Sequence, residues 1–249
     1  MTLEKPINIT KREGYDNQPS FSPDSKKIFY VSFREDNQAD IYQYDLRHRR
    51  TNAVTKTPIS EYSPVLTADG KFITSVVVEN DSSQCIHFIN SLNGIHETKL
   101  DVDSVGYYTF LNQDTIVYYK LTEPHSLRYH IKSSSEDRWL GNFPSRAFKP
   151  ISRNTLLYGL KDTSKIIFYT YNFLLRKAEK FATYPSLNED FVWHPILGLV
   201  KSEGLQILYY DSLLQEWKIL FDLSAFGLKK ITRFDIDPKT NYLVVTDNL

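Results

Sequence analysis

The sequence is poor in the residues that build disulfides, helices and membrane spans. Its 249 residues include one cysteine, one methionine, nine glycines and seven alanines. The single cysteine, Cys85, excludes an intrachain disulfide and a zinc site built from cysteines. Alanine is the best helix former, and no apolar run approaches the roughly 18 residues that a membrane span requires. We therefore expect few helices and no membrane span.

An excess of charge of either sign is also missing. The 30 Lys and Arg residues balance the 30 Asp and Glu residues, and no cluster of five like charges occurs. Such a chain has no overall field to attract phosphate backbones, so we expect no nucleic-acid partner. Aromatic residues are abundant, with 17 Tyr, 15 Phe and 3 Trp. This composition is typical of β-strands.

A turn motif recurs along the chain. Residues 18–28 align with residues 63–73, and proline, aspartate, lysine and isoleucine recur at an offset of 45. Each copy predicts a short strand, a tight turn that contains aspartate, and a second strand of β-branched and aromatic residues. Six copies occur, spaced by 45, 44, 38, 45 and 43 residues between the apolar residues that precede the turns. These anchors are Phe21, Leu66, Phe110, Phe148, Trp193 and Ile236.

Two more strands follow the turn motif in a full repeat. The third strand is predicted at Ala39 to Asp45, Gln84 to Asn90, Lys165 to Tyr171 and Leu205 to Asp211. Four strands in about 43 residues, repeated, are typical of β-propeller blades, whereas a β-sandwich has no reason to repeat one turn at this period. We predict an all-β fold over residues 1–249, a single domain that is a six-bladed β-propeller of four-stranded antiparallel blades.

The sixth repeat ends at Leu249 after two strands. Most propellers join their two termini within one blade, because open sheet edges invite unwanted pairing. We therefore predict that the amino-terminal strand, Leu3 to Thr10, pairs with the blade formed by Ile231 to Asp247 and closes the ring. Even then this blade is one strand short.

The repeats resemble the blades of TolB-like propellers. The resemblance is strongest at Pro19 to Tyr30 and at Asp40 to Leu46, and it continues at Tyr62 to Lys71. It implies a six-bladed propeller, periplasmic or otherwise exported, that binds a protein or peptide without catalysis. TolB carries an additional amino-terminal domain that this chain lacks. Residues 1–10 carry no apolar core, so we expect no signal peptide in the chain.

Loops at one face of a propeller are the expected place for a ligand. We predict a binding site at one mouth of the central channel, where tyrosine, arginine and carboxylates supply contact area and directed hydrogen bonds. The predicted site residues are Asp16, Gln18, Arg34, Glu61, Tyr62, Tyr107, His125, Glu189, Asp190 and Arg233. Further residues of these loops are Glu35, Asp36, Glu79, Glu123, Arg146 and Lys161. We expect a protein or peptide partner, no cofactor and a monomeric chain.

Other readings remain open from the sequence. Asp16, Glu61, Glu189 and Asp190 have carboxylates that could hold a calcium ion, as in propeller enzymes of the lactonase type. Tyr107 and Tyr108 could serve as stacking platforms in a glycan-binding module. The six histidines form no zinc-enzyme motif, and the sequence contains no serine-nucleophile elbow. The motif residues Asp24, Asp69 and Asp237 are interpreted as turn residues.

Overall fold

The computed structural model describes residues 3–34, 38–239 and 241–247, and these residues form an all-β protein. Two compact units are present. One unit contains residues 3–103 together with 223–247, and the other contains residues 104–222. Within the described ranges, no helical segment has the length and apolar character of a membrane span.

The first unit contains two four-stranded antiparallel sheets and one two-stranded sheet. Its strands are β1 (Asp16–Phe21), β2 (Lys27–Phe33), β3 (Ala39–Asp45) and β4 (Arg50–Ala53) in blade 1, β5 (Ser60–Leu66), β6 (Phe72–Val78), β7 (Gln84–Asn90) and β8 (His96–Lys99) in blade 2, and the later pair at Ile231–Ile236 and Leu243–Asp247. A short 3-10 helix, Ser224–Phe226, precedes the later pair.

The second unit contains three four-stranded antiparallel sheets. Its strands are β9 (Val105–Phe110), β10 (Thr115–Lys120), β11 (Ser126–Ile131) and β12 (Glu136–Asn142) in blade 3, β13 (Pro144–Ser152), β14 (Thr155–Asp162), β15 (Lys165–Asn172) and β16 (Lys177–Tyr184) in blade 4, and β17 (Phe191–His194), β18 (Gly198–Glu203), β19 (Gln206–Asp211) and β20 (Glu216–Asp222) in blade 5. The two strands at Ile231–Ile236 and Leu243–Asp247 are then β21 and β22. In every sheet the neighbouring strands are consecutive in the chain.

Burial falls from the second strand of a blade to the fourth. Strands β2, β6 and β10 are buried along most of their length, and they consist of β-branched and aromatic residues that pack on both faces of the sheet. The fourth strand β4 is exposed throughout. The second and third strands therefore carry most of the core of each blade.

The predicted count of six four-stranded blades is wrong, because the residues that the structure describes form five. The sixth repeat forms the two-stranded sheet of β21 and β22. The segment from Leu3 to Thr10 forms no strand, so the predicted pairing that closes the ring is also wrong.

Local chemistry explains the missing strand. Pro6 has no backbone N–H to donate to a ladder. The Oδ1 atom of Asn8 accepts hydrogen bonds from the backbone N–H groups of Thr10, at 3.1 Å, and Lys11, at 2.9 Å, which bends the chain into a turn. Ile9 nevertheless packs against the apolar cluster that also receives Val244 of β22.

The turn role of the motif aspartates is confirmed. Asp24 accepts a hydrogen bond from the Ser22 hydroxyl at 2.7 Å, and Asp69 accepts the equivalent bond from Thr67 at 2.6 Å. Asp237 is fully buried, and its Oδ1 accepts the backbone N–H groups of Asn241 and Tyr242, each at 2.7 Å.

Replacing Asp237 with alanine is expected to lower the free energy of unfolding by about 1–3 kcal/mol, because the backbone N–H groups of Asn241 and Tyr242 lose a charged acceptor. Urea unfolding measures the change. Asp237→Asn keeps one side-chain oxygen and is expected to lose less. Equal losses for the two variants would show that the carbonyl oxygen does not replace the carboxylate in this turn.

Candidate functional site

The carboxylate of Asp16 is held by protein groups at the start of β1. Its Oδ1 accepts a hydrogen bond from the Ser32 hydroxyl at 2.5 Å and lies 3.0 Å from Nη1 of Arg12. The other guanidinium nitrogen of Arg12 donates to the carbonyl of Phe33 at 2.7 Å. The three groups tie the chain that enters blade 1 to the end of β2.

Glu61 lies on β5 of blade 2, and its side chain is fully buried. Its two oxygens accept hydrogen bonds from Thr55 at 3.0 Å and Thr57 at 2.5 Å. Nε2 of His96 lies 3.2 Å from Oε1 of Glu61. Glu61 therefore lies at the centre of a polar network that includes Thr55, Thr57 and His96.

Gln18 joins blade 1 to blade 2. Its backbone lies in the left-handed region, with φ of 55°, and Ser63, 45 residues later, matches it with φ of 54°. The backbone N–H of Ser63 donates to Oε1 of Gln18 at 2.6 Å. Both residues lie where the register of their strands shifts, so this contact stabilises paired β-bulges.

The other predicted site residues of the first unit each contact a different partner. The Arg34 guanidinium carbon lies 4.4 Å from the ring centroid of Tyr42, and the Tyr62 ring packs edge-on to Phe33. Arg233 is opposite Thr246 in the β21–β22 ladder. Glu35 and Asp36, which follow Arg34 in its loop, lie outside the described residues.

The second unit brings several predicted residues together. Glu189 precedes β17, and its Oε2 accepts the backbone N–H of Arg146 at 2.8 Å. Its Oε1 accepts a hydrogen bond from Nζ of Lys161 at 3.2 Å. One carboxylate thus links the first two strands of blade 4 to blade 5.

Aromatic side chains of blade 3 border this ion group. The ring of Tyr119 lies 5.7 Å from that of Tyr107 and 5.2 Å from that of His125. Burial, and then the nearby Glu189 carboxylate, raise the pKa of Tyr119 to about 12. We call these six residues the Arg146 surface; they are Tyr107, Tyr119, His125, Arg146, Lys161 and Glu189.

Two nitrogen atoms of the Arg146 surface are buried without a hydrogen-bond partner. They are Nε of Arg146 and Nδ1 of His125. Nε of Arg146 lies 3.6 Å from Glu189, outside hydrogen-bond distance. Phe143, which is 56% exposed, is joined to this surface through its backbone bonds to His125 and Lys161. The unsatisfied polar atoms of the Arg146 surface therefore lie in a region that the exposed ring of Phe143 adjoins.

Asp190 has a different environment from Glu189. It is buried and interacts electrostatically with Lys201, whose side chain is fully buried. Nζ of Lys201 donates to the carbonyl of Ser202 at 2.7 Å and lies 3.7 Å from the ring centroid of Tyr184. Burial lowers the pKa of Lys201. Asp190 thus belongs to the charge balance of the blade 5 interior.

The proposed pair of stacking platforms is wrong for Tyr108. Its side chain is buried and packs edge-on to Phe110, whereas Tyr107 is partly exposed. Consecutive residues of a strand point to opposite faces of the sheet, so Tyr107 and Tyr108 do not share a surface.

A cluster that the sequence reading did not assign lies in blade 2. Within the part of the chain that the structure describes, Glu79, Cys85 and His87 form the one group of three potential metal ligands, with ligand atoms within 4.8 Å of one another. Burial raises the pKa of the Cys85 thiol, and burial followed by His96 lowers the pKa of His87. The available signal was the pair Cys85 and His87, two apart on one strand.

No protein-family model matches the chain, and no curated protein matches it in sequence. Solved structures do match. A gluconolactonase from Xanthomonas campestris has 11% identity and a TM-score of 0.68, and the match covers 94% of this chain and 83% of that protein. An oligogalacturonate lyase in complex with manganese has 12% identity and a TM-score of 0.64, covering 94% and 75%.

TolB from Acinetobacter baumannii is a third match, with 17% identity, a TM-score of 0.56 and coverage of 68% of this chain. The matched region spans 44% of that TolB. At such identities these likenesses show the fold alone. The chain has the β-propeller fold with four-stranded antiparallel blades, and its structural neighbours include TolB as well as two enzymes.

Proposed function

We propose that this chain is a non-catalytic binding protein that takes a peptide, or a segment of another protein, at the Arg146 surface. The observation that carries the proposal is the pair of buried nitrogens without partners, Nε of Arg146 and Nδ1 of His125. Buried polar atoms are normally satisfied, and the Nε–H of arginine is always a donor. A ligand that brings carbonyl or carboxylate oxygens would supply the missing acceptor.

The surroundings fit an extended peptide. Lys161 is partly exposed and offers a second cation, and Glu189 holds both basic residues in place. The exposed ring of Phe143 offers apolar contact beside these charges. Aromatic and arginine side chains contribute most to binding energy in known interfaces. The resemblance to TolB-like propellers supports the same class of ligand.

Catalysis has less support from the geometry. The enzyme reading needs the carboxylates of Asp16, Glu61, Glu189 and Asp190 as metal ligands. Asp16, Glu61 and Glu189 accept hydrogen bonds or ion pairs from named protein groups, and Asp190 faces the charge of Lys201. The binding function therefore stands first.

Selection of random peptides displayed on phage tests the proposal. Peptides enriched on the purified chain are expected to bind with micromolar affinity, and Arg146→Ala and Lys161→Ala are each expected to weaken binding at least about 10-fold, since a charge-assisted hydrogen bond contributes about 1.5–3 kcal/mol. Lys177→Ala is the control, because Lys177 lies on an exposed fourth strand. The proposal is overturned if the enriched peptides bind Arg146→Ala and Lys161→Ala with the same affinity as the unaltered chain. It is also overturned if no peptide is enriched.

The proposal has two further parts. They are a periplasmic or exported location, which rests on the family resemblance, and a monomeric state. Cell fractionation and analytical ultracentrifugation test them separately from the binding experiment.

A further inference from the structure

The unassigned cluster of blade 2 has a defined origin in the chain. Cys85 and His87 lie two residues apart on β7, so their side chains share one face of the sheet. Glu79 follows β6, the neighbouring strand. Sγ of Cys85 and Oε1 of Glu79 each lie 3.3 Å from Nε2 of His87. Two ligand atoms from β7 and one from the residue that follows β6 therefore lie within 4.8 Å of one another.

The two ring nitrogens of His87 face different neighbours. Nδ1 of His87 lies 3.0 Å from Nδ1 of His96, and Nε2 of His96 lies 3.2 Å from Oε1 of the buried Glu61. With one proton shared between the two Nδ1 atoms, Nε2 of His87 is the nitrogen that can bind a metal ion. Metal-binding histidines are commonly oriented in this way through their other nitrogen.

A cation already contacts the carboxylate of this cluster. Both oxygens of Glu79 accept hydrogen bonds from Nζ of Lys99, and Oε2 also accepts one from the Ser83 hydroxyl. A divalent ion placed among the three ligand atoms would replace Lys99 as the cation beside Glu79 and would also bond Sγ of Cys85 and Nε2 of His87.

The donor set indicates which ion. Thiolate and imidazole ligands favour zinc, whereas calcium and magnesium prefer oxygen. Tetrahedral zinc bonds imply ligand separations of about 3.4–3.6 Å. The observed 3.3 Å contacts, from Sγ and from the carboxylate oxygen to Nε2, are close to these values.

We propose that Glu79, Cys85 and His87 form a zinc site, with His96 and Glu61 as the residues that orient His87. On binding, the Cys85 thiol loses its proton to solvent and the sulfur bonds to Zn²⁺, so that charge and atoms balance. Glu79 is partly exposed, which gives the ion a path to the site and leaves the fourth position to water.

Lys99 competes with the ion. Its Nζ donates to both oxygens of Glu79, at 3.1 and 3.0 Å, and its side chain is 56% exposed. An exposed ion pair of this kind is weak, so zinc can displace it. Lys99→Met removes both the competing contact and a nearby positive charge, and it is expected to tighten zinc binding about 5- to 20-fold.

Titration of the purified chain with Zn²⁺, and separately with Co²⁺ as a spectroscopic probe, tests the site. We expect one ion per chain with submicromolar affinity for zinc and a thiolate-to-cobalt charge-transfer band. Cys85→Ser is expected to abolish the band and weaken zinc binding at least about 100-fold. His48→Ala is the matched control, because His48 is an exposed histidine paired with Asp45, and it should change neither quantity.

The variants keep the result decisive. Circular dichroism checks that Cys85→Ser, a nearly isosteric change, remains folded. Lys99→Met alters an exposed side chain and is expected to gain affinity, an effect that misfolding would not produce. The proposal is overturned if Cys85→Ser binds zinc as tightly as the unaltered chain, or if neither the unaltered chain nor Lys99→Met binds zinc below micromolar concentration.

Discussion

Replacing Phe168 with alanine should lower the free energy of unfolding by about 3–5 kcal/mol, the range for loss of a fully buried aromatic ring. Phe168 is completely buried on β15, and its ring centroid lies 5.1 Å from that of Phe191 and 5.9 Å from that of Trp217. The variant would leave a cavity where blade 4 packs against blade 5. Urea unfolding followed by tryptophan fluorescence measures the loss, since Trp217 lies beside the cavity.

Leu213→Ala is the control for this experiment, because Leu213 is 92% exposed in the hairpin before β20. It should change the free energy of unfolding by no more than about 0.5 kcal/mol. A loss below about 1 kcal/mol for Phe168→Ala would mean that the two blades do not pack through this ring.

Gly94→Ala should cost about 2–5 kcal/mol of folding free energy. Gly94 lies in the hairpin between β7 and β8 with φ of +71°, and a Cβ atom there would sit 2.1 Å from the carbonyl oxygen of Val54. The left-handed backbone costs an alanine about 1–2 kcal/mol, and the overlap with backbone adds about 1–3 kcal/mol. Thermal or urea unfolding gives the total.

Gly70→Ala separates the two contributions. Gly70 has the same φ of +71°, but nothing lies within 4 Å of the position that its Cβ would occupy. Gly70→Ala should lower the folding free energy only by the cost of the left-handed backbone, about 1–2 kcal/mol. If Gly70→Ala and Gly94→Ala lose the same free energy, the hairpin of blade 2 moves away from Val54 at little cost.

The repeat in the sequence predicted the blades because turn chemistry and strand composition agree within each copy. The third strands predicted at Ala39 to Asp45 and at Gln84 to Asn90 have those bounds in the structure. The strand predicted at Leu3 to Thr10, which was to join the last repeat, was mispredicted for a local reason. Asn8 bonds its own backbone and Pro6 lacks a donor, so a segment at the expected position does not join the ladder.

The side-chain partners of the site were harder to predict than the strands. Glu189 meets the backbone of Arg146, 43 residues earlier, and Lys161, 28 residues earlier. No spacing rule gives such contacts, because they depend on how one blade packs against the next. The blade 2 cluster was missed for another reason. Cys85 and His87 follow the two-residue period of a strand, but Glu79 comes from the residue after the neighbouring strand β6.

The division of the chain between the two units has a consequence for its synthesis. Residues 104–222 are continuous, so the unit that they form can fold as it leaves the ribosome. The other unit must wait for β21 and β22. The backbone N–H of Phe21 donates to Asp235, 214 residues later, and Ile9 shares an apolar cluster with Val244. Blade 1 therefore gains these contacts only after β21 and β22 have been synthesised.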